Sequence, residues 1–345
     1  MKKFITAIVL LMLIVVGFLG WRMLGPGTAF SGESYFLYIR TGMSYPEVVS
    51  LLEKDTVLQS PGLFDWMAHR MDYPANVRAG KYEISRHMSV LGMLRMLHNG
   101  RQTPVHIVIT KFRTPEGFAA AVGKKMECDS AAIGAFLHND DSLSAFGVDS
   151  NTVLTIVLPN TYTYFWNSSP SMLLRKMYAY YRAWWTPARI AAATARGLTP
   201  TTATILASIV EEETNMPSDK GKVASVYLNR LSKGMRLEAD PTIKYAMRDF
   251  ELKEVFYAYL KTPSPYNTYI HTGLPPGPIC TPSEATLQAV LSSPTTDYLY
   301  FVAKPDFSGY SNFATTFKEH EVYAKAWTDA LKKQRAIRDS SAREK

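Results

Sequence analysis

The chain has 345 residues, of which 47% are hydrophobic, so it is long enough for more than one domain and too apolar to be largely disordered. Its formal net charge is +8, but no run of five or six basic residues occurs, so a nucleic-acid-binding arm is not expected. Cys128 and Cys280 are too few for a disulfide-stapled small domain or a multi-cysteine metal site, although one long-range disulfide stays open. The histidines are scattered singly, and we expect no metal, nucleotide or other cofactor.

The N-terminal segment has the composition of a membrane anchor. Lys2 and Lys3 precede an uncharged run over residues 4–21, which at about 1.5 Å per residue is long enough to cross hydrocarbon. We expect residues 1–24 to contain a single transmembrane helix, with its basic flank in the cytoplasm and the remaining chain outside. A cleaved signal peptide is the alternative, since small residues occupy positions 27–29.

Strand and helix patterns alternate after a linker over residues 25–34, which predicts an α+β fold. The predicted elements are a strand over 35–39, a helix over 44–54 capped by Ser44, a helix over 63–70, a strand over 80–84, a helix capped by Ser89, a strand over 105–110 and a helix beginning at Pro115. We predict a small α+β module over residues 35–105 and a larger α+β domain over residues 106–332. The basic tail over residues 333–345 is expected to be a frayed helix or disordered.

The next segments predict more helix than strand. Residues 131–153 have the pattern of a helix and a loop, whereas residues 158–166 are aromatic and turn-rich, unlike a core strand. A helix is predicted over 171–185, and Pro187 restarts a helix that continues to Gly197, a residue suited to a helix C-terminus.

Three consecutive carboxylates, Glu211, Glu212 and Glu213, end a helix predicted to begin at Thr199 and Pro200. The buried stripe of this helix is formed by Ala203, Leu206, Ala207 and Val210. At about 100° per residue, Glu212 points away from that stripe, while Glu211 and Glu213 lie on its two shoulders. Carboxylates oppose the helix dipole at this end, and a partly buried one would have the raised pKa that a general acid needs. A solvated acidic patch, or Glu211 paired with an arginine, is the structural alternative.

Residues 206–215 and several later blocks resemble the YceG-like family, the endolytic murein transglycosylases. The later blocks lie at residues 222–231, 234–237, 240–243, 266–269, 273–279 and 298–302, and residues 159–162 resemble an earlier family segment. The resemblance extends from the N-terminal segment to about residue 325. It implies that the module over residues 35–105 is LysM-like and that residues 106–332 form the catalytic domain.

The resemblance also assigns the carboxylates. In the family motif Ser-Ile-(Ile/Val)-Glu-x-Glu-Thr the second Glu is catalytic, which corresponds to Glu213, while Glu211 matches the first Glu and Glu212 the variable position. The extra carboxylate of Glu212 is a departure that could raise the pKa of its neighbours. The implied reaction is lytic cleavage of the β-1,4 bond between N-acetylmuramic acid and N-acetylglucosamine, with 1,6-anhydro ends, on nascent glycan strands. One acid/base carboxyl suffices for it, and Glu211 acting as a true partner would instead indicate hydrolysis.

Other residues in the matching blocks are candidate substrate ligands. They are Glu211, Asn229, Asp240, Thr242, Asn267, Tyr269 and Tyr162. For residues 240–242 a simple turn is the alternative, and for residues 266–269 a loop held by tyrosine packing. We expect Arg230 and Arg236 to be solvated at the surface rather than to orient Glu213. Tyr162 and Trp166 are either part of a glycan groove or core aromatics.

The implied partners are peptidoglycan glycan strands and the inner membrane, which the single N-terminal helix would enter, with the bulk of the chain on the periplasmic side. Peptidoglycan synthases remain open as partners. Two other functions also remain open: a non-catalytic wall-binding scaffold and a lysozyme-like hydrolase. A scaffold would not need Glu213.

Overall fold

The computed structural model describes residues 2–343, which form a mixed α+β protein. The helices are α1 (Lys2–Leu24), α2 (Tyr45–Lys54), α3 (Pro61–Arg70), α4 (Val90–His98), α5 (Pro115–Gly123), α6 (Ser130–Leu137), α7 (Asp140–Ser144), α8 (Pro170–Trp184), α9 (Pro187–Thr194), α10 (Pro200–Glu213), α11 (Pro217–Ser232), α12 (Asp240–Met247), α13 (Glu284–Leu291) and α14 (Phe317–Arg343). The strands are β1 (Ser34–Ile39), β2 (Gly80–Ser85), β3 (Val105–Ile109), β4 (Asn160–Tyr164), β5 (Tyr300–Ala303) and β6 (Ser311–Ala314). They pair in sequence order as three two-stranded sheets among the described residues. The predicted α+β class is confirmed.

The chain folds as two compact units. The first comprises Met1–Ile107, Gly123–Asp129 and Thr163–Ser169, and the second comprises Val108–Val122, Ser130–Tyr162 and Pro170–Lys345. Both units are therefore discontinuous in sequence, because the chain crosses between them several times. The single domain boundary between residues 105 and 106, and the LysM-like character of the module before it, stay predictions.

The first unit is built on the antiparallel pair of β1 and β2, in which Ser34 lies opposite Ser85 and Ile39 opposite Gly80. Alternate residues of the two strands, Leu37, Ile39, Tyr82 and Ile84, are buried, as expected for strands with one face on a core. Helices α2, α3 and α4 supply the rest of this core. Both serine caps predicted from the sequence are present: the backbone N–H of Ser44 donates to Glu47 at 2.7 Å, and that of Gly92 donates to the Ser89 hydroxyl at 3.0 Å.

Helix α1 is long and apolar enough to cross a membrane. Its segment Lys3–Leu24 has a mean hydropathy of 2.7, and its most apolar stretch contains no buried residue. Met23, near the C-terminal end of this helix, packs against the core of the first unit.

Helix α10 forms the centre of the second unit. Every residue from Ala203 to Val210 is buried, so the helix is covered on all sides rather than along the one stripe that its sequence predicts. The two polar side chains within this stretch are satisfied locally, since Thr204 donates to the carbonyl of Pro200 and Ser208 to that of Ile205. Helices α9, α11, α12 and α13 pack around α10 and fix its C-terminal end in place.

Two segments differ from the sequence-based expectations. Residues 158–166 contain β4, which pairs with β3, and the buried side chains of Tyr162 and Tyr164 stabilise this strand despite its turn-like sequence. Helix α14 continues to Arg343, so residues 333–343 are helical, while the last two residues of the predicted tail lie outside the described residues. Cys128 and Cys280 are both free thiols.

Candidate active site

The three glutamates at the end of α10 enter three different environments. Glu211 accepts hydrogen bonds from Lys220 at 2.7 Å and from Ser283 at 3.0 Å, and a further one from Thr286. Burial alone would raise the pKa of Glu211, but these bonds outweigh it and hold the pKa below its ordinary value. Glu211 is therefore an ionised structural partner of a lysine, not of the arginine that the sequence suggested.

The direction of Glu212 on the helix predicts a solvent-exposed side chain, and this prediction is wrong. Its side chain is 14% exposed and pairs with Lys111 at 3.0 Å and with Arg113 at 3.0 Å. Burial acts to raise the pKa of Glu212, but hydrogen bonds from these two cations lower it overall. The extra carboxylate is thus neutralised by its own partners.

Glu213 keeps the properties of a proton donor. Burial raises its pKa to about 7, against the lowering effect of a 2.5 Å hydrogen bond that the Tyr227 hydroxyl donates to its Oε1 atom. The negative charge of Asp240 raises this pKa further, whereas Lys244 and Arg230 lower it. The raised pKa of Glu213 is therefore caused by burial and by Asp240, not by the adjacent Glu212. A carboxyl with such a pKa exchanges its proton near neutral pH, as acid–base catalysis requires.

Glu213 lies in an open cleft of about 260 Å³. The charged and aromatic residues around it are Tyr227, Arg230, Glu238, Asp240, Tyr269, Tyr300, Phe301 and His320. Asp240 begins α12, so residues 240–242 form a helix start rather than a simple turn. The Tyr269 hydroxyl donates to the Oδ1 atom of Asp240 at 2.6 Å. Of the predicted site residues, the structure thus brings Asp240 and Tyr269 together with Glu213.

Arg230 lines the cleft, so its predicted position at the solvated surface is wrong. It is 7% exposed and donates to the carbonyls of Leu299 and Leu237, at 2.7 and 2.9 Å. It also pairs with Glu238 at 3.0 Å. Arg230 therefore joins α11 to the segments that form the cleft wall. Arg236, by contrast, is exposed as expected.

Four predicted ligands lie outside the cleft lining and hold backbone segments instead. Asn229 donates to the carbonyls of residues 296 and 298, and Asn267 to those of residues 260 and 262. Thr242 donates to the carbonyl of Ala239 and shares a hydrogen bond with a neighbouring threonine. The Tyr162 hydroxyl donates to the carbonyl of Leu158, and the side chain is 4% exposed. Their amide and hydroxyl hydrogens are engaged within the protein, so they maintain the fold around the site.

Neither Tyr227 nor His320 was predicted as a site residue. Tyr227 lies on α11, fourteen positions after Glu213, and nothing in the local pattern separates it from a core tyrosine. His320 lies on α14 and stacks on Tyr300, with ring centroids 5.3 Å apart. The block over residues 298–302 was a partial signal, because Tyr300 and Phe301 within it line the cleft.

The structure therefore places a carboxyl with a raised pKa in an open polar cleft of an α+β protein, an arrangement that acid–base catalysis can use. The chain belongs to the YceG-like family, whose sequence pattern matches residues 37–326.

Named relatives agree with this assignment. The chain is 28% identical over 323 residues to a Bacillus subtilis protein named endolytic murein transglycosylase, a match that covers 87% of each chain. It is 26% identical over 295 residues to a Streptococcus pneumoniae protein of the same name, covering 77% of this chain and 53% of that longer relative.

A solved structure agrees as well. The crystal structure of a YceG-like protein from Listeria monocytogenes has a TM-score of 0.53 and 27% identity to this chain, and the match covers 84% of this chain and 99% of that one.

Proposed function

We infer that this protein is an endolytic murein transglycosylase that cuts the β-1,4 bond between N-acetylmuramic acid and N-acetylglucosamine and leaves 1,6-anhydro ends. The observation that carries this proposal is the Glu213 carboxyl, with its pKa of about 7, in an open cleft. The names of the relatives support the same substrate, murein.

The first step uses Glu213 as a general acid. Its proton passes to the glycosidic oxygen as the bond from the anomeric carbon to that oxygen breaks, so the leaving sugar departs with a neutral hydroxyl. Positive charge develops at the anomeric carbon of the muramic residue. The negative charge of Asp240 in the cleft wall, which also raises the pKa of Glu213, favours that positive charge because opposite charges attract.

The second step uses the same carboxylate as a base. Glu213 takes the proton of the C6 hydroxyl while that oxygen bonds to the anomeric carbon, which closes the anhydro ring and restores the protonated acid. No water is consumed, and Glu211 is not required because its carboxylate is bound to Lys220 and two hydroxyl side chains. The Tyr227 hydroxyl keeps the Glu213 carboxyl in one orientation throughout.

The other parts of the proposal concern placement. Helix α1 would anchor the chain in the inner membrane, with the remainder on the periplasmic side, where glycan strands are accessible. The region over residues 35–105 would act as a LysM-like module and residues 106–332 as the catalytic domain. Nascent strands would be the substrate and peptidoglycan synthases the neighbouring partners.

Digestion of purified glycan strands tests the reaction. We expect mass spectrometry to detect ends that are lighter by one water than ordinary reducing ends. Reducing ends would contradict the proposal in favour of a hydrolase, and uncut strands in favour of a scaffold. Glu213→Gln should abolish cleavage, whereas Glu53→Gln, an exposed position on α2, should leave the rate unchanged. Full activity of Glu213→Gln would exclude Glu213 as the catalyst.

A further inference from the structure

A groove with a volume of about 700 Å³ lies in the first compact unit. Its lining contains four cationic side chains and two aromatic rings. They are Arg40, Lys81, Lys124, Lys125, Tyr38 and Trp166. We call this surface the basic groove. None of its residues lines the cleft around Glu213.

The cations of the basic groove lack acidic partners, although Lys81 lies over the Phe36 ring, 4.1 Å from its centroid. Within residues 2–343 none of the four forms an ion pair with an Asp or Glu, and the groove lining contains no acidic residue. The nearby Glu127 is engaged by the backbone and hydroxyl of Thr41, at 2.5 and 2.7 Å. Four like charges around one concave surface repel each other, so an anion that binds there gains from all of them.

The backbone holds these groups in fixed positions. Tyr38 and Lys81 are direct partners in the β1–β2 register, and Arg40 follows the last residue of β1. Lys125 donates to the carbonyl of His106 at 3.4 Å, which ties its segment to β3. Tyr38 and Lys81 are therefore held by paired strands, whereas Arg40, Lys124, Lys125 and Trp166 lie in segments that adjoin a strand or a helix.

The aromatic pair indicates what kind of anion fits. Tyr38 packs edge-on against Trp166, with ring centroids 5.1 Å apart, and Trp166 is 8% exposed. Tyr38 is 42% exposed, so part of its ring is open to the groove. An apolar ring face beside cations suits a ligand that combines flat apolar surface with negative charge, such as a sugar ring bearing carboxylates.

We propose that the basic groove binds an anionic stretch of glycan strand, with a sugar ring on Tyr38 and the carboxylates of the strand's substituents at Arg40, Lys124 and Lys125. The identity of this ligand rests on the proposed function, because that function makes a peptidoglycan strand the substrate. A lipid headgroup is disfavoured, since the groove is concave and Trp166, only 8% exposed, does not project from the unit.

Binding is measured on the full chain in neutral detergent, carrying Glu213→Gln so that the ligand stays intact. The probe is a fluorescent, uncross-linked peptidoglycan strand with its stem peptides. Lys124→Gln with Lys125→Gln should weaken binding roughly three- to tenfold at low salt and much less at high salt. The matched control is Lys332→Gln with Lys333→Gln, which removes the same charge from two adjacent exposed lysines of α14 and should leave affinity unchanged. Equal affinities for both double variants would overturn the proposal.

Two further measurements separate the other outcomes. Tyr38→Ala should weaken binding both of the anionic strand and of neutral N-acetylglucosamine oligomers, whereas the lysine variant should weaken only the former. If anionic phospholipid vesicles compete for the groove better than strands do, the glycan assignment is wrong. With Glu213 restored, the otherwise unaltered chain and the Lys332→Gln/Lys333→Gln control should both cut the strands. If the chain cleaves strands but the groove variants bind them normally, the groove proposal alone is refuted. If the groove variants bind strands more weakly but the chain cleaves none, the proposed function alone is refuted.

Discussion

Glu213 holds its proton up to about pH 7 because burial disfavours its charged form, while Glu211 and Glu212 on the same helix turn are ionised by their cationic partners. Lys220 serves one of these neighbours, and Lys111 with Arg113 serves the other. The pKa of each of the three glutamates is therefore set by its own contacts, which come from distant parts of the chain.

Substitutions at two neighbours of Glu213 should move its pKa in opposite directions. Asp240→Asn removes a negative charge that raises the pKa, so the loss of activity at alkaline pH should begin at lower pH. Tyr227→Phe removes the hydrogen bond that lowers the pKa, so that loss should begin at higher pH. Each shift should be roughly 0.5–1 pH unit. The measurement is kcat/KM for strand cleavage against pH.

The exposed Asp297 offers a matched control for the charge change. Asp297→Asn should leave the profile unchanged, because this side chain is not among those that affect Glu213. If Asp240→Asn and Tyr227→Phe moved the alkaline limb in the same direction, the assignment of that limb to Glu213 would be wrong.

Glu213 should also make stability depend on pH. Its pKa is about 7 in the folded protein and near 4.5 when unfolded, so the folded state binds the extra proton between these values. Stability from this group is complete below about pH 4.5 and is lost as pH rises through 7. Relative to wild type, Glu213→Gln should therefore be more stable at pH 8 than at pH 5, by about 2 kcal/mol.

Urea unfolding at the two pH values measures this difference. Glu53→Gln on α2 serves as the control and should show the same gap from wild type at both pH values. A gap for Glu213→Gln that did not change with pH would mean that the carboxyl titrates at its ordinary pKa.

At the scale of elements, α10 is joined to α11 and α13 through Glu211. Lys220 belongs to α11, Ser283 caps α13 and Thr286 lies in its first turn. The Glu211 and Lys220 side chains are 16% and 13% exposed, so water screens this pair little. Glu212 also joins α10 to another segment, but its partners Lys111 and Arg113 are 38% and 36% exposed.

Glu211→Gln should therefore destabilise the protein more than Glu212→Gln does. We expect about 1–3 kcal/mol for the first, because it leaves the Lys220 ammonium partly buried without a counter-charge, and less than about 1 kcal/mol for the second. Urea unfolding at pH 7 provides the measurement. A larger loss for Glu212→Gln would show that the more exposed cluster dominates the position of α10.

The elements that could be predicted from sequence are those with local signals. Ser44 and Ser89 cap their helices, and Thr199 with Pro200 begins α10, because capping depends on residues within one turn. Strand β4 could not be predicted in this way, since its stability comes from pairing with β3 and from buried tyrosines.

The site itself was predictable only in part. The family motif selected Glu213, and Asp240 and Tyr269 accompany it in the cleft. The predictions that Glu212 points into solvent and that Arg230 lies at the surface were wrong. The cations that pair with Glu212 and the Leu299 carbonyl that accepts from Arg230 are far away in sequence. A helical wheel describes one helix and carries no information about such tertiary partners.

At the scale of the whole molecule, the exposed apolar surface of α1 leads to the last prediction. If α1 is a retained anchor, the full chain should stay in the membrane fraction after alkaline carbonate extraction. A variant that lacks residues 2–24 should instead be found in the soluble fraction. The intact mass should include residues 1–24. A mature protein that begins near residue 30 would instead establish a cleaved signal peptide.

Orientation is tested on the same protein with alkaline phosphatase fused after Lys345, since that enzyme is active only outside the cytoplasm. Lys2 and Lys3 before the apolar run favour a cytoplasmic N-terminus, so the fusion should be active. Replacing both lysines by glutamate weakens the signal that sets this orientation and should reduce activity per molecule of fusion protein. An inactive fusion of the unaltered chain would place the Glu213 cleft in the cytoplasm, away from any glycan strand, and the proposed function would fail with it.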